Sequence, residues 1–83
     1  MDEITGKITE FVRKLSQLNE TDALDQDTKI LSLGYIDSFN ILAIINFIEE
    51  EFKIKIDTSN IMLEQFDSIG DIARMVREIQ KNG

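Results

Sequence analysis

The stretch from Ser38 to Phe52, Ser-Phe-Asn-Ile-Leu-Ala-Ile-Ile-Asn-Phe-Ile-Glu-Glu-Glu-Phe, holds more apolar side chains than one buried helix face can use. On a wheel of about 100° per residue, Ile41, Ile44, Ile45, Ile48 and Phe52 fall within one third of the circumference. That face belongs in a core, so the helix needs other helices to pack on. Phe39, Leu42, Ala43, Asn46, Glu49 and Glu50 fall on another face, on the same side as Ser38. It is apolar near the serine and acidic further along, with Phe47 near its far border. A surface helix does not need a second apolar patch to fold. Either the first helix or the preceding loop covers this face, or a partner docks on it.

Two further periodic segments supply the packing partners. Ile4, Ile8, Phe11, Val12, Leu15 and Leu18 recur at spacings of three and four and form one helical stripe. Gly6 weakens its first turn. Ile69, Ile72, Ala73, Val76 and Ile79 form the stripe of a final helix. It opens with Ser68 as cap and Asp71 in the position of a capping box, and closes with the cation and stop signals of Lys81-Asn82-Gly83. From Asn19 to Asp37 no periodicity appears. Loops of that length in a small domain are usually functional or disordered. Ile30, Leu31 and Leu33 suggest that this one is pinned to the core, and Gly34 supplies a turn before the next helix. Lys53 to Ile56 alternates like a strand but has no partner strand, and reads as an extended linker. Asp57, Thr58 and Ser59 are good helix caps ahead of Ile61-Met62-Leu63, so one short helix fits there. The expected fold is all-α: a small four-helix bundle, residues 1–83 as a single domain, with three main helices, one short one, and a long loop between the first two. Ile8, Phe11, Leu15, Ile45, Ile48, Phe52, Ile72 and Val76 are the expected core.

Composition narrows the chemistry. The chain has no Cys and no His, hence no disulfide framework, no thiolate metal site and no usual general base. No metal site is expected. The formal net charge of −7 disfavours nucleic acid and anionic lipid surfaces as partners. Proteins with basic docking surfaces suit it better, although acidity also serves solubility alone. The N-terminus lacks the basic start of a signal peptide, and no apolar run approaches the ~20 residues of a membrane span. A soluble, cytoplasmic, monomeric protein is the expectation.

Two Asp-Ser pairs open helices, Asp37-Ser38 and Asp67-Ser68. Ser68 has Asp71 to complete a box, so capping accounts for it. Ser38 has Ile41 three residues on, which cannot reciprocate. Ser38 is therefore the candidate functional hydroxyl, with a pure cap as the alternative. Nothing in the chain is suited to activate it, so chemistry at Ser38 would be done by another enzyme. Asp37 is a favourable charge at a helix start or a recognition element. The run Glu49-Glu50-Glu51 opposes the helix dipole unless Lys53 and Lys55 offset it. It is either a solvated charge run or a docking patch.

Gly34-x-x-Asp37-Ser38-Phe39, followed by an apolar helix ending Glu49-Glu50-Glu51-Phe52, resembles an acyl or peptidyl carrier protein. Phe52-Lys53-Ile54-Lys55-Ile56 resembles that family's Phe-x-Ile-x-Ile. Phe66-Asp67-Ser68-Ile69 with Ile72-Ala73 resembles its Phe-x-Thr/Ser-Ile-x-x-Ile-Ala. The resemblance runs from Asp27 to Ala73. It implies a free-standing, non-enzymatic carrier. A phosphopantetheinyl transferase would move 4′-phosphopantetheine from coenzyme A to Ser38, and the arm's thiol would hold an acyl thioester. A helix N-terminus, with unpaired N–H groups and partial positive charge, favours such a phosphodiester. The resemblance further implies that Asp37 aids transferase recognition. Partners would be that transferase, a loading enzyme and downstream transferases or synthases, docking on Phe39, Leu42, Ala43, Asn46, Glu49 and Glu50. Phe39 stands where the fatty-acid-synthesis carriers typically have Leu, and the acids close behind the serine are missing. That points to a dedicated acyl, aminoacyl or peptidyl pathway. The competing class is an unmodified helical adaptor that binds through the Phe39/Leu42 face.

Overall fold

The computed structural model describes residues 3–17 and 24–82. Among them the protein is all-helical, with three α-helices: α1 Glu3–Ser16, α2 Ser38–Phe52 and α3 Ile69–Asn82. The α2 boundaries coincide with those read from the wheel. Leu18 and Gly83, assigned above to the first stripe and the last stop signal, lie outside the described residues.

The core is largely isoleucine. Ile41, Ile44, Ile45 and Ile48 of α2 are buried against Ile8 and Val12 of α1 and Ile69, Ile72, Ala73, Met75 and Val76 of α3. β-Branched side chains hold few rotamers, so this packing is stiff. Ile8, Ile45, Ile48, Ile72 and Val76 are buried as expected, whereas Phe11, Leu15 and Phe52 are half-buried at the rim. The two phenylalanines meet Phe47 there. Phe11 stacks on Phe47 at a centroid distance of 4.2 Å, and Phe52 meets its edge at 6.3 Å. Thr5 and Thr9 are also buried, which the apolar pattern did not reveal. The Thr9 hydroxyl donates to the Thr5 carbonyl at 2.7 Å, and the Arg77 guanidinium of α3 donates to Thr5 Oγ1 at 3.3 Å. Their polar atoms therefore enter the α1–α3 contact already hydrogen-bonded.

The expected short fourth helix is absent as such. Two 3₁₀ turns, Thr58–Asn60 and Leu63–Phe66, take its place. Asp57 caps the first turn, but Gln65 takes a backbone donor that a continuing helix would need. Asp57 accepts from the Ser59 N–H at 3.1 Å and the Asn60 side-chain amide at 2.8 Å, and the Met62 N–H donates to Gln65 Oε1 at 2.9 Å. Each half closes on itself, with extended backbone at Ile61 and Met62 between them. Phe66 is fully buried and anchors the second turn to α3. The linker expected over Lys53 to Ile56 starts one residue later: Lys53 is the left-handed C-cap of α2, with a φ of 56°, and residues 54–56 have no regular structure. The linker is tied back by the Ile56 N–H donating to Glu49 Oε2 at 2.9 Å.

The segment before α2 is anchored by Ile30 and Ile36, both buried, and by α3. The Asp67 carbonyl accepts from the Ile30 N–H at 2.7 Å, and the Asp67 carboxylate accepts from the Leu31 N–H, the Ser32 N–H and the Ser32 hydroxyl. Leu31 is half-buried, but Leu33, expected to help pin the loop, is 65% exposed. Gly34 has a φ of +85°, so the turn expected there is made by a conformation that glycine adopts without strain.

Ile48 is fully buried at the centre of this core. Replacing it with Ala should cost about 2–5 kcal/mol in denaturant unfolding. The half-buried Phe52, by contrast, should cost less than a fully buried phenylalanine. A loss below about 1 kcal/mol at Ile48 would contradict the packing described.

Candidate functional site

Ser38 is the first helical residue of α2, and the residue before it does the capping. Asp37 has extended backbone. Its Oδ1 accepts from the Phe39 and Asn40 N–H groups, both at 3.0 Å. Asn40 reciprocates, because its Oδ1 accepts the Asp37 N–H at 2.9 Å. This is a complete capping box, closed without the serine. The sequence reading missed it by counting three residues on from Ser38 instead of from Asp37. Counting from Asp37 would have found Asn40.

The consequence for the two serines is opposite. The Ser68 hydroxyl is buried, accepts the Asp71 N–H at 3.1 Å and donates to the Asp71 carboxylate at 2.9 Å. It is fully engaged as the cap of α3. Ser38 is exposed, and its hydroxyl has no hydrogen-bond partner among the described residues. Capping therefore explains Ser68 and leaves Ser38 unexplained.

The electrostatics of the site are narrower than a bare helix terminus offers. Asp37 already takes two first-turn N–H groups, and the Ile41 N–H donates to the Asp37 carbonyl at 3.2 Å. Only the Ser38 N–H of that turn lacks a partner among the described residues. An anion on the Ser38 oxygen would find one backbone donor and the helix dipole, next to the negative Asp37. The expected reserve of free amides is thus mostly used.

The second face of α2 divides in two. At its far end Phe47 is covered by Phe11 of α1. At the serine end Phe39 is 80% exposed and Leu42 64% exposed, with Ala43 half-buried and Asn46 exposed. The acidic triplet divides too. The Glu49 carboxylate holds the Ile56 N–H, and Glu51 pairs with Lys7 of α1 at 3.0 Å. Lys7 also reaches Glu3 at 3.4 Å. Hydrogen bonding to Glu51, then to Glu3, raises the Lys7 pKa above its ordinary value. Glu50 alone of the three is without a partner among the described residues. The offset expected from Lys53 and Lys55 comes from Lys7 and the linker backbone instead.

A groove of about 420 Å³ lies between the 55–61 segment and α3, lined by Ile56, Ile61, Met75 and Ile79 with a polar rim that includes Asp57 and Glu78. None of the α2 face lines it. No cluster of potential metal ligands occurs among the described residues, and none of their helices is long and apolar enough to cross a membrane.

With this geometry in hand, comparison with known proteins gives three findings. A family model described as a phosphopantetheine attachment site matches residues 7–76. A solved structure, "Crystal structure of FAD-dependent dehydrogenase", is similar, with 27% sequence identity and a TM-score of 0.69, over 83% of this chain and 97% of that one. No curated protein matches.

The cap assigned to Asp37 is separable from its charge. Asp37→Ala should destabilise the protein by about 1 kcal/mol, whereas Asp37→Asn, an equally good cap, should stay within a few tenths of wild type. Equal losses in thermal or urea unfolding would contradict the capping box.

Proposed function

The chain belongs to the phosphopantetheine attachment site family, whose members carry covalently attached 4′-phosphopantetheine, and we propose that here the arm is borne by Ser38. One observation supports this most. Of the two serines that follow Asp at a helix start, Ser38 alone is exposed and unengaged, while Asp37 and Asn40 close the cap without it. The local geometry suits the group: the hydroxyl is open to solvent, the backbone beneath it is fixed, and one N–H and the helix dipole face an anion there.

The chain's own part in attachment is to present the hydroxyl. Without His or Cys it offers no usual base, so the proton of the Ser38 hydroxyl passes to a group of the transferase as Oγ bonds to the phosphorus of the arm, the pyrophosphate P–O bond of coenzyme A breaks and adenosine 3′,5′-bisphosphate leaves. Once bound, the arm supplies a thiol, which this sequence lacks, and with it the capacity to hold an acyl, aminoacyl or peptidyl thioester. The protein is then a substrate shuttle of a single carrier domain, working as a cytoplasmic monomer rather than as an enzyme. Its partners are the phosphopantetheinyl transferase, a loading enzyme and the enzymes that use the cargo. Phe39 and Leu42 form the apolar centre of the docking face, with Ala43, Asn46 and Glu50 beside them. Glu49 has an internal partner and is the weaker candidate. A dedicated pathway fits best. The acids that follow the serine in fatty-acid-synthesis carriers are missing, and the similar solved structure is described as an FAD-dependent dehydrogenase.

Incubation with coenzyme A and a phosphopantetheinyl transferase should raise the intact mass by one arm. Ser38→Ala should abolish the gain and Ser68→Ala should not. An unchanged wild-type mass with several competent transferases would leave the adaptor reading, which the exposed Phe39 and Leu42 also support.

Leu42→Asp probes the docking face. Because Leu42 is exposed, a charge there should leave the melting temperature near wild type, while arm transfer or cargo loading slows by about tenfold or more. A collapsed melt would make Leu42 a core residue. Unchanged rates with every partner would remove the face from the account.

A further inference from the structure

We propose that Asp67, at the entrance to α3, is a positioning residue for arm attachment: its carboxylate fixes the loop that delivers Ser38 to the head of α2. The proposal rests on the carrier reading above and adds a residue remote from the serine in sequence.

Residues 24–37 form no regular helix, so their backbone donors need partners of other kinds. The entrance to α3 supplies several. Asp67 Oδ1 accepts the Leu31 and Ser32 N–H groups at 3.1 and 2.9 Å, and Oδ2 accepts the Ser32 hydroxyl at 2.6 Å. The Asp67 carbonyl accepts the Ile30 N–H at 2.7 Å, and the Gly70 N–H donates to the Gln26 carbonyl at 2.9 Å. A Cβ at Gly70 would sit 3.0 Å from that carbonyl oxygen, so the loop and α3 are in close contact there. The Ile30 carbonyl then accepts the Tyr35 and Ile36 N–H groups at 2.9 and 3.1 Å. Asp37, the cap of α2, follows directly. A short path thus leads from the Asp67 main chain through Ile30 to Ser38, and the Asp67 carboxylate braces the Leu31–Ser32 turn beside it.

The carboxylate binds as the anion. Hydrogen bonds from the Ser32 hydroxyl and then the Ser32 N–H hold its pKa below the ordinary value, against a smaller opposing effect of burial. Charge-assisted hydrogen bonds of this kind are about twice as strong as neutral ones. The α2 core face is held separately by its isoleucines. Losing the carboxylate therefore loosens the Leu31–Ser32 side of the turn, while buried Ile30 and Ile36 and the backbone hydrogen bonds keep the segment attached and α2 in place. Transfer to a hydroxyl needs close alignment with its phosphate donor, and a displacement of about 1 Å can cost ~100-fold in rate.

The test compares arm attachment from coenzyme A by a broad-specificity transferase on the full chain. Asp67→Ala removes all three side-chain acceptor contacts. Asp67→Asn keeps Oδ1 for the two N–H groups and can donate its amide to the Ser32 oxygen. Ser68→Ala breaks the α3 cap next door without touching the loop, and so controls for general loss of stability. Asp67→Ala should lower kcat/KM by about ten- to a hundredfold, Asp67→Asn should recover most of it, and Ser68→Ala should match wild type. Amide exchange at Leu31 and Ser32 should accelerate in Asp67→Ala alone. Wild-type kinetics in Asp67→Ala would overturn the proposal and leave the carrier reading intact. Equal slowing in Ser68→Ala would overturn it too, by reducing the effect to stability. A wild type that takes no arm would overturn the carrier reading itself, and the positioning role with it.

Discussion

Burial of the Ile41, Ile44, Ile45 and Ile48 face fixes the rotation of α2, and the exposed features of the site follow from that rotation. Once those side chains point at α1 and α3, Ser38, Phe39 and Leu42 point away from the core. Rotating the helix to hide Phe39 or Leu42 would bring Ile44 or Ile48 into water. Full burial of one such side chain is worth about 1.5–3 kcal/mol, so the four together hold the orientation firmly. The exposure of a large aromatic and a leucine beside the serine is therefore a cost the fold tolerates, and it calls for an explanation outside the fold.

Electrostatics refine the site without setting its position. Asp37 and Asn40 satisfy the start of α2 by themselves, which leaves the serine hydroxyl free. The acidic end of the helix is settled in the same economical way. Glu49 serves the linker and Glu51 binds Lys7 across to α1, so only Glu50 of the triplet has no internal task among the described residues. The helix-dipole penalty of three carboxylates at a C-terminus is thereby shared with neighbours rather than left to solvent.

The strongly periodic parts were legible in the sequence. The three stripes became three helices, and the α2 wheel separated its buried face from its exposed one. Ser68 capped α3 with Asp71 as its spacing suggested. Local side-chain competition was harder to read. Gln65 interrupts the expected short helix, because it captures the Met62 N–H that a helix continuing from Thr58 would have used, whereas Asp57 only caps the first turn. Phe11, Leu15 and Phe52 have the right period for a core but sit at its rim, since periodicity gives direction and not depth. The Asp67 clamp was invisible for another reason. It joins residues far apart in the chain, and no local pattern announces that a carboxylate at one helix entrance will hold the loop before another.

The central claim is that Ser38 is the attachment point. Fragmentation of the arm-bearing protein in a tandem mass spectrometer maps the group onto the sequence directly. The account predicts that it resides on the fragment spanning Ser38 and nowhere else. An arm found on the fragment carrying Ser68, or spread over several serines, would contradict it.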